Sequence, residues 1–386
     1  MIKKFMQSKI LSTGLAMFSM FFGAGNIVFP LALGNMAGAS NFFAMAGLMI
    51  TAVVVPFTGL IAMILFNGDY KAFFGRMGTA PGFLIALFIM CLIGPFGGIP
   101  RCIALSYSTI TMFTPAMPLY IFSLFSCLII FAFTYKTNAI LEILGYVLTP
   151  VLLISLIIII VLGLLSENLS GGKADPNFFF TGLKEGYHTM DLLASFFFSY
   201  VVIDCLQKDL HPVEIGDFKS IIVTALKASA IGAFLLGAVY AGFSYVAAFS
   251  GPELHNVSED LLLGTISLNI LGPYAGIVAS VAVALACLTT AIALSAAFSE
   301  FLYETILQKK IGYIPCLLLT LVITCFVSTL DFTGIVKVLT PILMICYPAL
   351  IVLSVLNLLY KLYGFKPVKF PVFFVFFLTV LYTIVV

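Results

Sequence analysis

Phe22-Gly23-Ala24-Gly25-Asn26 sits inside a stretch, residues 10–68, that carries no charged side chain. Lipid offers no substitute partner for an open main chain, so a helix in such a stretch should keep its backbone hydrogen bonds closed. Two glycines and an asparagine act against closure. Glycine lets the backbone leave helical geometry, and Pro30, four residues beyond Asn26, removes one more donor. The spacing therefore predicts a helix broken at Gly23–Asn26. The N–H groups opening its second half form a partly positive end that suits a carboxylate. The carbonyls closing its first half suit a cation. The competing reading is a seam where small residues let two helices approach; the adjacent Asn26 argues against it.

Three further clusters carry groups of similar promise. Gly186-Tyr187-His188-Thr189-Met190-Asp191-Leu192-Leu193-Ala194-Ser195 places a carboxylate in an apolar run. A carboxylate at membrane depth is costly and marks a functional candidate with a partner; the alternative is an aspartate reaching the outer interface. His188, nearer the run's edge, is expected to be structural or exposed. Ala286-Cys287-Leu288-Thr289-Thr290 aligns the Ala286 carbonyl with the Thr289 and Thr290 hydroxyls, since positions i, i+3 and i+4 share a helix face. Three neutral oxygens suit a hard monovalent cation, unless the threonines only bond back to their own helix. Gly94-Pro95-Phe96-Gly97-Gly98-Ile99-Pro100-Arg101 is dense in helix breakers and ends in a guanidinium that must find a partner. Arg101 is expected to gate the outer path, with Asp191 or Asp331, or to steer an anionic group; a structural ion pair is the alternative.

The rest of the chain must hold these clusters in a bilayer. It is 62% hydrophobic and 9% charged, with mean hydropathy +1.20, where a soluble domain carries about 25% charged residues. Continuous apolar runs exclude a β-barrel, whose signal is short and alternating. At about 20 apolar residues per crossing, eleven spans are expected: 11–36, 42–66, 83–112, 118–135, 139–165, 187–206, 220–249, 268–298, 312–330, 333–360 and 370–386. The lysines before the first run do not make it a signal peptide, because the run is too long and lacks a clear cleavage site.

Lysine and arginine set the orientation. With Lys3, Lys4 and Lys9 inside, the cytoplasmic loops hold Lys71, Arg76, Lys136, Lys208, Lys219, Lys309, Lys310, Lys361, Lys366 and Lys369, and the outer loops only Lys173 and Lys184. The longest connections, 166–186 outside and 207–219 inside, are too short for a soluble domain. His188, His211 and His255 lie near loops, and the eight cysteines form no CxxC or Cys/His cluster. No catalytic constellation, resident metal site or disulfide framework is read, and nothing points to nucleic acid. A channel would need a more polar lining than these spans supply. Interrupted helices meeting at the midplane are the usual build of a secondary transporter.

Taken together, these pieces resemble the branched-chain amino-acid:cation symporters, the BrnQ-type LIVCS family. The resemblance is carried by Phe21-Phe22-Gly23-Ala24-Gly25-Asn26-Ile27-Val28-Phe29-Pro30, by Gly94-Pro95 through Ile99-Pro100-Arg101, by Gly186-Tyr187 with Thr189-Met190-Asp191, and by Ala286-Cys287-Leu288 through Thr290-Ala291. Val327-Ser328 and Pro341 through Tyr347-Pro348 look like the family's late helices, so the match runs along nearly the whole chain. It implies an all-α, LeuT-like fold in one transporter domain over 1–386. Two inverted five-helix repeats, about 11–165 and 187–360, would begin with broken helices one and six, and 370–386 would be an extra helix. It implies Ser19, Phe22, Ala286, Thr289 and Thr290 around sodium. The Ala24 and Gly25 amides would receive the substrate carboxylate, Asn26, Thr189 and Asp191 would flank the substrate or a second cation, and Gly23 and Ser195 would complete the substrate site. The family usually has twelve spans; the eleven here include its ten-helix core. Expected from this is sodium-coupled import of leucine, isoleucine or valine by alternating access, across the inner (plasma) membrane of a prokaryote, with the N-terminus cytoplasmic. No cofactor beyond the coupling ion is implied. Proton coupling through Asp191, or another neutral amino acid, stays open.

Overall fold

The computed structural model describes residues 2–114, 117–135, 140–165, 174–208, 218–250, 254 and 257–385. Among them there is no strand. The charge-free start forms two helices, α1 (Ile2–Phe21) and α2 (Ala24–Ala37), separated at Phe22–Gly23. Next, α3 (Asn41–Met49) runs through a π-helical turn at Ile50–Val54 into α4 (Val55–Leu65). A short α5 (Tyr70–Gly75) leads to α6 (Thr79–Ile93) and α7 (Gly98–Thr111), parted by the expected breaker cluster. Then come α8 (Leu119–Thr134), α9 (Ile140–Leu165), α10 (Phe178–His188), α11 (Asp191–Lys208), α12 (Phe218–Phe249), α13 (Leu262–Phe301), α14 (Tyr313–Ser328), α15 (Asp331–Tyr363) and α16 (Lys369–Val385).

Five helical stretches are long and apolar enough to cross a membrane: Ala24–Leu65, Thr79–Thr111, Ile222–Phe249, Ser280–Ile306 and Asp331–Tyr363. Shorter apolar helices stand beside them, and all eleven expected spans fall on helices. Two boundaries need correction. The sixth begins at Phe178, not at residue 187, and its interruption lies at Thr189–Met190. Lys184 and Glu185 made α10 read as loop, yet Phe178, Phe179 and Leu183 turn a partly buried face inward. The eighth begins at Leu262 and bends at Gly272, where φ is 73°. Lys136, Lys173, His211 and His255 lie outside the described residues.

Side chains such as Leu124 and Leu128 on α8, Leu318 and Phe326 on α14, and Phe370 and Phe374 on α16 are exposed. That apolar rim suits lipid, as expected for a membrane bundle. The interior is held by close backbone approach and small polar side chains. A Cβ built on Gly47 of α3 would lie 2.7 Å from the Leu183 nitrogen of α10, and one on Gly34 of α2 would meet the main chain of Ser244 on α12 at 2.7 Å. These contacts fix α2 and α10, each one half of an interrupted helix, against neighbouring helices.

Gly47→Val should therefore destabilise the fold by about 1–3 kcal/mol or more, since backbone and not a flexible side chain must yield. The check is thermal unfolding of the purified protein; a wild-type melting profile would show that α3 and α10 do not touch there.

Candidate functional site

At the first break, α1 closes with the Phe22 amide donating to the Phe18 carbonyl at 2.9 Å. Gly23 is extended, at φ −124° and ψ −164°. The Asn26 side chain folds back on this turn, its Oδ1 accepting from the Gly23 amide at 3.1 Å, while its own amide donates to the Gly23 carbonyl at 3.2 Å. The asparagine thus caps α2 and keeps Nδ2 for longer-range work.

That nitrogen donates to Asp191 Oδ2 at 2.7 Å and is hydrogen-bonded to the Tyr240 hydroxyl. The Tyr240 hydroxyl in turn donates to the same carboxylate oxygen at 3.0 Å. All three side chains are buried. This knot ties the first break to the start of α11 and to α12.

At the second break Met190 takes φ 62°, the left-handed region that a side chain ordinarily avoids. The Thr189 hydroxyl donates to the Gly186 carbonyl at 3.0 Å, and the Leu192 amide donates to the Tyr347 hydroxyl at 3.1 Å. The His188 carbonyl, released by the break, accepts from Arg101 Nη1 at 2.6 Å. Arg101 stands in the first turn of α7, just past the third helix's own interruption, and is 4% exposed. The Phe29 ring stacks on His188 at 5.1 Å and lies 5.4 Å from the guanidinium carbon.

The neutral-oxygen face of α13 meets the end of α1. Thr290 Oγ1 donates to the Phe22 carbonyl at 3.4 Å and to the Ala286 carbonyl at 3.1 Å, and Thr289 Oγ1 donates to Ala286 at 2.7 Å. Both threonines do bond back to their own helix, yet Thr290 also reaches across the break. Ser19 lies three residues before Phe22 on α1 and is half-buried.

One cavity joins these pieces. The first break, Gly23 to Asn26, and the second, Thr189 to Asp191, form its polar walls, with Arg101 and Thr290 between them. Met20, Phe21, Ile93, Ala194, Phe198 and Leu294 form the apolar remainder.

Two expectations are corrected. Ser195 does not line this cavity: its hydroxyl donates to the Leu192 carbonyl at 2.7 Å, and it packs where a Cβ on Gly59 would come within 2.8 Å. Asp331 does not partner Arg101; it is exposed and accepts from the Gly334 amide at 2.7 Å, in the first turn of its own helix. Of the two alternatives for His188, structural or exposed, it takes the first: it ends α10, buried and stacked on Phe29. Sequence reasoning also missed Tyr240 and Tyr347. The available signal for Tyr240 was a hydroxyl among small and apolar residues, Gly237-Ala238-Val239-Tyr240-Ala241-Gly242.

A helical bundle whose first and sixth helices open onto one cavity has the LeuT-like fold. Solved structures of Mhp1 share the fold: the inward-facing conformation at TM-score 0.61 with 16% identity, covering 91% of this chain and 77% of that one. A closed conformation with bromovinylhydantoin bound, described as a nucleobase-cation-symport-1 family transporter, matches at TM-score 0.63, again with 16% identity, covering 91% and 78%. The family described as branched-chain amino acid transport protein matches residues 6–385, and the chain belongs to it. It is 30% identical over 382 residues to the branched-chain amino acid permease BrnQ of Bacillus subtilis strain 168, covering 95% of this chain and 84% of that protein. It is also 30% identical over 363 residues to the permease BraB of the same organism, covering 91% and 80%. The chain is a transporter and not an enzyme.

Tyr240→Phe removes one donor from a buried carboxylate and should cost about 1–3 kcal/mol of stability. Asp191→Asn in the same background should recover part of that loss, since a neutral amide needs less compensation. Thermal unfolding reads both; a single variant as stable as wild type would mean the Tyr240–Asp191 bond is not made.

Proposed function

We propose that the protein imports leucine, isoleucine or valine together with sodium by alternating access. The observation that carries this reading is the cavity between the two breaks, polar on the opened main chain and apolar elsewhere. A branched side chain fits the wall formed by Phe21, Ile93, Phe198 and Leu294, and the ammonium fits Asp191. The family and the names of its permeases support the same substrate class.

Sodium is read here as cargo. The Phe22 and Ala286 carbonyls with the Thr289 and Thr290 hydroxyls supply neutral oxygens where α1 meets α13, a chemistry suited to a monovalent ion that must also leave. An ion there would clamp the broken first helix to α13, and its loss would release that clamp. Ser19 is the further ligand in this reading. Each inward charge gains about 2.3 kcal/mol per 100 mV of membrane potential.

In this reading two aromatic clusters serve as gates. Phe73 and Phe74 pack on Phe196 of α11 at 5.4 and 5.3 Å, and Tyr70 packs on Phe197 and Phe301 at 5.7 and 5.8 Å. Lys71 and Arg76 put that cluster on the side expected to be cytoplasmic. Toward the other side Phe29 lies between His188 and Phe332, the latter at 6.3 Å. In the proposed cycle these clusters part in turn, with residues 11–165 and 187–360 as the two repeats. The N-terminus is cytoplasmic and the membrane is the inner membrane of a prokaryote.

Proton coupling is a second reading, favoured by one observation: the hydrogen bonds to the buried Asp191 carboxylate come from the neutral Asn26 and Tyr240. Labelled leucine uptake into proteoliposomes, with sodium and pH gradients imposed separately, decides between them. Sodium-driven accumulation is expected; uptake that follows pH and ignores sodium would transfer the role to Asp191.

Thr289→Ala combined with Thr290→Ala should raise the sodium concentration for half-maximal uptake at least tenfold, and an unchanged requirement would remove α13 from the ion site. Gly25→Leu should abolish uptake while sparing insertion, because its Cβ alone would lie 2.7 Å from Arg101 Nη2 and 3.2 Å from the His188 carbonyl. Normal leucine uptake by that variant would reduce the break to a packing feature.

A further inference from the structure

We propose that Arg101 is the carboxylate-binding residue of the transport site, taking the role that the amides opening α2 were expected to fill. The inference rests on the substrate class proposed above and names the group that recognises one end of it.

Two of the amides at that end are committed: Gly23 donates to Asn26 Oδ1 and Asn26 donates to the Gly23 carbonyl. The positive end of α2 is thus spent in part on its own turn. Ala24 and Gly25 remain, and Gly25 lies directly under the guanidinium.

Arg101 is in the opposite situation. It is buried, it lines the cavity, and its Nε is enclosed without a hydrogen-bond partner. Nη1 is held by the His188 carbonyl, which aims the fork, while Nη2 sits over Gly25. Asp191 lines the same cavity, but the two form no ion pair among the described residues. A buried charge with no direct ion-pair contact is expensive, and a planar guanidinium matches a carboxylate by two parallel bonds.

A zwitterion resolves both ends at once. Its carboxylate completes Arg101, its ammonium meets Asp191, and its side chain lies against Ile93 and Leu294. Glycine at position 25 then has a specific reason, since any side chain would occupy the space beside Nη2. Asn26 and Tyr240 act as positioning residues, because both donate to Asp191 Oδ2 and so fix the far end of the clamp.

The test is equilibrium binding of labelled leucine to purified protein in saturating sodium, with two competitors. 3-Methylbutylamine keeps the leucine skeleton and ammonium but lacks the carboxylate; 4-methylpentanoate keeps the carboxylate and lacks the ammonium. Arg101→Gln should weaken leucine about a hundredfold and abolish competition by 4-methylpentanoate, with the amine's affinity unchanged within twofold. Arg101→Lys keeps the charge and loses the fork, so the ratio of leucine to amine affinity should fall about tenfold even if the glutamine variant fails to fold. Leucine and amine weakened in parallel in these variants, or leucine affinity unchanged, would make Arg101 a structural or gating residue and overturn the assignment alone. Wild-type protein that binds no leucine would instead remove the substrate reading, and this assignment with it.

Discussion

Main-chain groups released within a bilayer must be satisfied by protein, by ligand or by enclosed water, because lipid supplies nothing. This constraint organises the centre of the molecule. Among the described residues the chain is interrupted at Phe22–Gly23, at Gly94–Gly97 and at Thr189–Met190, and polar groups beside these interruptions reach from one helix to the next. The third helix sends Arg101 to the carbonyl freed in the sixth. The first sends Asn26 to the carboxylate that opens α11. The late helix α15 sends the Tyr347 hydroxyl to an amide opened at the sixth. These cross-links bring the first and sixth interruptions and Arg101 to one cavity.

The bonds across the cavity differ in strength, and the difference has mechanical meaning. Between α2, α11 and α12 the Asn26–Asp191–Tyr240 knot is short, buried and partly charged, the kind of contact that moves as a unit. Between α1 and α13 the recorded polar link is the 3.4 Å contact from Thr290 to the Phe22 carbonyl. A bond that long is weak. The proposed ion acts beside this long contact, where its binding or loss would change how the two parts sit.

The all-helical membrane class and most spans were legible because the signal is crude and strong: long windows without charge. The first break was legible from Gly23, Gly25 and Pro30, residue types that act through the local backbone. The second was harder. Its turn is taken by Met190 in a left-handed conformation, a residue with no intrinsic preference for it, so the strain is imposed by tertiary contacts and leaves no local mark. The same holds for Tyr240 and Tyr347, whose hydroxyls matter because α12 and α15 deliver them to sites 49 and 155 residues away in sequence. Ser195 failed for the converse reason: a serine beside a promising aspartate belongs to the site only if the helix turns it inward, and α11 turns it toward Gly59.

The two arginines with described partners show what separates a structural guanidinium from one held for a ligand. Arg76, at the other end of the bundle, spends its fork fully: Nη1 donates to the Leu356 carbonyl and to Asn357 Oδ1, at 3.3 and 2.6 Å, and Nη2 to the carbonyls of Phe365 and Lys366, at 3.3 and 2.9 Å. Tyr360 covers its face at 3.9 Å. Everything about it pins α5 to the end of α15. Arg101 is more deeply buried and has less to hold, with one anchoring carbonyl and an enclosed Nε left unmatched. Burial raises the penalty for an incomplete shell, so a purely structural role would have placed the fuller shell on Arg101 and the sparser one on Arg76. The observed order is the reverse, as it should be if the missing partner of Arg101 arrives and departs with each turnover.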